Sequence, residues 1–101
     1  MIIDLSQLQK VIYQNKVKKG FNVIDIKLEL LLILEELAEL SEAVRKEKIN
    51  VGEEIADVMI YCLGLCEILG INAQKEILRK VKINQERKYV RQAKFHHQKI
   101  T

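Results

Sequence analysis

Apolar residues recur along this chain at the three- and four-residue spacing of one helix face, in four blocks separated by turn residues. Leu5, Leu8, Val11 and Ile12 share one stripe and predict a first helix from about Leu5 to Val17. Lys18-Lys19-Gly20-Phe21-Asn22 interrupts it, with Gly20 as the C-terminal stop. A second helix is predicted from about Asp25 to Lys48. Its run Leu30-Leu31-Leu32-Ile33-Leu34 is apolar on every side, which for a helix means contacts all round. A third helix opens at Asn50, with Glu53 three residues on as a capping-box variant, and stops at Gly70. Asn72 caps a fourth, basic helix that reaches about Tyr89 or beyond. The stretch from about 90 to 101 has little apolar periodicity and is expected to fray as a basic tail.

Length narrows this to a single all-α domain over residues 1–101. The chain has no Pro and only four Gly, and its 49% hydrophobic content excludes a disordered chain. A four-helix bundle-type protomer of this size can hardly bury the second helix alone. Homo-oligomerisation, as a dimer or tetramer, is therefore expected to complete the core. The uncharged run Val58 to Cys66 is about half of what a membrane-spanning helix needs, and the start, with Asp4, does not read as a signal peptide. Cys62 and Cys66 make no disulfide framework, fit a reducing cytoplasm, and lie among Leu63, Leu65 and Leu69 as small core hydrophobes. The pair His96-His97 has no second ligand cluster and reads as incidental.

Charge changes the picture. Between Asp25 and Asp57 ten acids face four bases, whereas Lys75 to Lys99 carries nine bases against Glu76 and Glu86. Within the acidic stretch, Glu36 and Glu39 lie one turn apart on one helix face, and Glu54 and Asp57 repeat the spacing on the next helix. Their neighbours are apolar: Leu32, Leu40 and Ala43 beside the first pair, and Val58, Ile60, Tyr61 and Gly64 beside the second. A solvated charged face would be arranged the other way round, as it is for Glu42 and Glu47. The short connection makes the second and third helices pack antiparallel, which can bring the pairs face to face. Two carboxylates at ~4 Å repel by about 4 kcal/mol at an effective dielectric near 20, so four acids in one pocket cannot all stay ionised unless cations bind among them. Hard oxygen donors suit Mg²⁺, with Mn²⁺ as a substitute, and the lack of His or Cys among them disfavours zinc.

Glu35-Glu36-Leu-Ala-Glu39 followed by Glu53-Glu54-Ile-Ala-Asp57 resembles the EExxE…EExxD signature of MazG-like nucleotide pyrophosphohydrolases, of the all-α NTP pyrophosphatase superfamily. The similarity extends over Leu40-Ser-Glu-Ala-Val-Arg45, Tyr61, the turn Asn15 to Phe21, and Lys80-Val-Lys82-Ile-Asn84-Gln-Glu-Arg87-Lys88-Tyr89. It implies that Glu36, Glu39, Glu54 and Asp57 hold magnesium. The implied reaction cleaves a nucleoside triphosphate between the α and β phosphates, giving monophosphate and pyrophosphate. Glu35 and Glu39 are both candidates to take the proton of the attacking water. On the fourth helix Lys80, Asn84 and Arg87 share one face and are expected to hold phosphates, with Lys16 as a further candidate. Several family members hold the base against a Trp; this chain has none and offers Tyr61, Tyr13 and Phe21, of which Phe21 reads as a core contact. Which base is accepted stays open.

Two other readings are compatible with the residues. The related phosphoribosyl-ATP pyrophosphatases share the acid pattern. A non-catalytic helical adaptor with a basic tail on nucleic acid would use the last helix and be indifferent to Glu36 or Asp57. The matched acid pairs favour the enzyme, and with it a nucleotide partner over nucleic acid or membrane.

Overall fold

The structure, a computed structural model, describes residues 4–87, 89–91 and 97–99, with side chains through residue 87. Among the described residues four helices carry the fold: α1 (Leu5–Lys18), α2 (Ile26–Arg45), α3 (Val51–Ile68) and α4 (Ala73–Glu86). Three of them start where a side chain satisfies an otherwise unpaired backbone N–H. Asp4 accepts from Ser6 N, Asp25 from Leu28 N and Asn72 from Lys75 N. Asn50 departs from its expected capping role. It makes no cap hydrogen bond, and its Nδ2 donates instead to Glu54 Oε1 at 3.1 Å.

The C-termini of α1, α2 and α3 close in the same way, each with a left-handed residue and paired bonds back to the last turn. After α1, Gly20 has φ 73° and Phe21 N donates to Lys16 O at 2.8 Å; after α3, Gly70 has φ 70° and Ile71 N donates to Cys66 O at 2.8 Å. After α2 the residue in this position is Glu47, at φ 51°, with Lys48 N donating to Ala43 O at 2.9 Å. This turn ends α2 at Arg45, short of the Lys48 expected from spacing.

α3 is the central element, packed on α2 along one side and on α1 along another, while α4 docks on α1. Gln9 ties three of these helices. It is buried, its Nε2 donates to Glu67 Oε1 at 2.9 Å and to Ile71 O at 2.5 Å, and its Oε1 accepts from Ala73 N at 3.0 Å. Beyond α4, β1 (Tyr89–Arg91) pairs antiparallel with β2 (His97–Lys99), Val90 opposite Gln98. Strands of three residues are too short to show a period, and the apolar spacing did not indicate them. The end expected to fray is described only in these strands, so His96 lies outside the described residues and His97 is described in its backbone alone.

Among the described residues the buried apolar positions are Ala43, Leu63 and Ala73. Leu30, Leu34, Leu37 and Val44, one stripe of α2, are each 45–60% exposed in the single chain. Of the cysteines expected in the core, Cys66 is half-buried and Cys62 exposed. None of the described helices is long and apolar enough to cross a membrane.

Candidate functional site

The motif acids come from two helices that lie side by side. Glu35, Glu36 and Glu39 are on α2; Glu53, Glu54 and Asp57 are on the first two turns of α3. One carboxylate oxygen each from Glu36, Glu54 and Asp57 lies within 4.8 Å of the other two. Glu36 and Glu54 are half-buried, and Asp57 stands at the exposed rim. Glu36 Oε2 and Glu54 Oε2 are shut off from solvent and have no hydrogen-bond partner among the described residues. An unpaired buried carboxylate oxygen is costly unless a cation satisfies it. Three hard oxygen donors on rigid helices, two with an orphaned atom, fit a divalent ion of the Mg²⁺ type.

Electrostatics agree. Burial raises the carboxyl of Glu36 above its ordinary value, and the charges of Glu39, Asp57 and Glu54 raise it further. Glu39, one turn along and exposed, is thus the strongest of the like charges felt by Glu36, while the close-set trio is Glu36, Glu54 and Asp57. Glu35 and Glu53 are exposed on the same helices, outside that trio.

An apolar cavity of about 590 Å³ opens beside this cluster, between α1, the α1–α2 turn, α2 and α3. Val11, Phe21, Leu28, Leu32, Ile60 and Tyr61 contribute to its walls. Tyr61 is where cavity and cluster meet. Burial raises its hydroxyl pKa, and the charges of Glu36, Glu29, Asp57 and Glu35 add to the rise. Phe21, read from the sequence as a core contact, is 56% exposed at the cavity mouth.

The remaining expected residues divide. Lys16 reaches the cavity but is buried, in an ion pair with Glu29. Lys80 and Asn84 are exposed on α4, whose packing partner is α1, and Arg87 is half-buried at its C-cap. The acidic trio itself is drawn from α2 and α3. Glu29 and Asn22 were missed. Glu29 Oε2 accepts from Asn22 Nδ2 at 3.1 Å and the carboxylate is fully buried, yet Lys16 and Glu29 belong to different helices and share no helical spacing.

The MazG-like family model matches residues 17–100, most of the chain and both acid motifs. The chain belongs to the MazG-like family. Membership supports hydrolysis of the nucleotide-pyrophosphatase type in general. No curated protein and no solved structure matches the chain. The family match spans the helices that carry the acidic trio.

Proposed function

We propose that this MazG-like chain is a cytoplasmic, Mg²⁺-dependent nucleoside triphosphate pyrophosphohydrolase, cleaving the α–β phosphate bond to give monophosphate and pyrophosphate. The observation that carries the reading is the trio Glu36, Glu54 and Asp57, with two buried oxygens that no group among the described residues satisfies. These three would hold the ion, with Glu39 as a fourth ligand in reach of Glu36. When bound, Mg²⁺ supplies charge neutralisation at phosphate oxygens and acidifies water, as Mn²⁺ would in its place.

The residues of the chain do the rest by position. Tyr61 and the apolar wall beside it offer a surface for base and sugar, which sets the phosphates toward the acids. Glu35 and Glu39, both exposed at the rim, are the candidates to accept the proton of the attacking water. Lys80, Asn84 and Arg87 would meet phosphate oxygens once a second copy of the chain brings α4 near the cluster. A homodimer or homotetramer is supported by the bare Leu30–Leu34–Leu37–Val44 stripe and by how few apolar residues are fully buried among the described ones.

The test is a panel of standard and modified nucleoside triphosphates with Mg²⁺, scored for pyrophosphate against orthophosphate. Pyrophosphate lost in Glu54→Gln and Asp57→Asn is the expected result. Orthophosphate as primary product would contradict the bond assigned, and no product from any triphosphate would leave a binding role.

A further inference from the structure

Lys16 is held unlike a phosphate ligand. It lies on the last turn of α1 with its stem against Gly64 of α3, where a Cβ would sit 3.4 Å from Lys16 Cδ. Its Nζ pairs with Glu29 Oε1, and the other oxygen of Glu29 is taken by Asn22 Nδ2 at 3.1 Å. Asn22 is itself committed: Nδ2 also donates to Asp25 O at 2.8 Å, and Oδ1 accepts from Asp25 N at 3.1 Å. The cation of Lys16 is therefore neutralised inside the protein, and it stands 5.3 Å from the centroid of the Tyr61 ring, over its face. The ring on which it rests is the wall shared by the apolar cavity and the acidic trio. Lys16 O, meanwhile, accepts from Phe21 N, so the same residue anchors the turn at the cavity mouth.

We propose that Lys16 is a positioning residue for the nucleoside half of the site: paired with Glu29, it holds the Tyr61 ring and the α1–α2 turn in place, and it contacts no phosphate. The proposal rests on the pyrophosphohydrolase reading for the identity of the ligand. A lysine that met phosphates directly would act equally on any polyphosphate. A lysine that fixes the cavity wall acts only on ligands that enter the cavity.

The experiment measures binding by calorimetry of two probes, a nucleoside monophosphate and inorganic tripolyphosphate, to the full chain with Mg²⁺. Four proteins are compared: wild type, Lys16→Arg, Lys16→Met, and Lys16→Met combined with Glu29→Leu. The double variant leaves no uncompensated buried charge and keeps the test valid where Lys16→Met alone fails to fold. Removing Lys16 is expected to weaken monophosphate binding by about tenfold while tripolyphosphate changes by less than about twofold. Lys16→Arg, which can pair with Glu29 and stack on Tyr61, is expected to retain monophosphate binding. A parallel loss of both probes overturns the inference and makes Lys16 a phosphate ligand. A second readout needs no nucleotide: the ε-methylene protons of Lys16 should be shifted upfield by the Tyr61 ring and return to ordinary values in Tyr61→Leu. Unshifted protons in the wild type overturn the inference. Wild type that binds neither probe overturns the pyrophosphohydrolase reading and the role of Lys16 with it, an outcome distinct from a variant that loses both alike.

Discussion

Glu36 is the residue on which stability and proposed function pull in opposite directions. Its carboxyl is raised by burial and by Glu39, Asp57 and Glu54, so the folded state binds its proton more tightly than the unfolded chain does. By linkage, this group favours the fold below its unfolded pKa, and that contribution is lost as pH rises through the raised folded value. Metal-free protein should therefore gain stability from Glu36 on acidification from neutrality into the upper carboxylate range. Glu42, lowered by its hydrogen bond and charge contact with Lys46, acts in the opposite sense at lower pH, from an exposed position. Mg²⁺ competes with the proton and should flatten the acid-side gain, measured as Tm against pH with and without the ion. Glu36→Gln should raise metal-free stability by about 1 kcal/mol after solvent screening, and should abolish the Tm increase caused by Mg²⁺. The pairing that makes Glu36 stand out was legible as an i,i+3 spacing. Its orphaned oxygen was not, because that depends on how α2 and α3 close over it.

The turns are where elements are won or lost. Glu47 occupies a left-handed position that Gly20 and Gly70 fill after α1 and α3. Glu47→Gly should stabilise the chain by about 1 kcal/mol, or roughly 4–8 °C in Tm, in a thermal melt. Nothing in local sequence announced this turn, since a Glu carries no stop signal; the helix ends there because the paired bonds of Glu47 N and Lys48 N close the last turn. Gln9 acts across elements. Gln9→Leu keeps the size of the side chain but leaves Ala73 N and Ile71 O without this partner, costing about 2–4 kcal/mol in a urea titration. The loss should be felt first at α4, through amide exchange at Ala73 to Glu76. Such a residue reads in sequence as one more polar position on an amphipathic helix, because its partners are more than fifty residues away.

For the whole molecule the decisive fact is the apolar stripe of α2. Among the described residues the fully buried apolar positions are Ala43, Leu63 and Ala73, while Leu30, Leu34, Leu37 and Val44 line an uncovered stripe. On the proposed homo-oligomer, analytical ultracentrifugation should show a dimer or larger species. Leu34→Lys should shift it to monomer with a large loss of helicity, and a wild-type monomer of full helicity would contradict the proposal. If, as proposed, a second copy brings Lys80, Asn84 and Arg87 to the phosphates, Leu34→Lys should also remove pyrophosphate release.

Helix number, the approximate limits of each helix, the acidic pairs and the family were all legible in the order of residues, because each depends on neighbours within a few positions. Apolar spacing sets a helix face, Asp and Asn set its start, and i,i+3 spacing puts two carboxylates on one side. Tertiary packing alone decided that Glu36, Glu54 and Asp57 converge, that two of their oxygens go unpaired, that Lys16 is turned inward onto Glu29 and Tyr61, and that a cavity opens beside them. Those contacts join residues from separate helices, and no local periodicity encodes a distance between two helices.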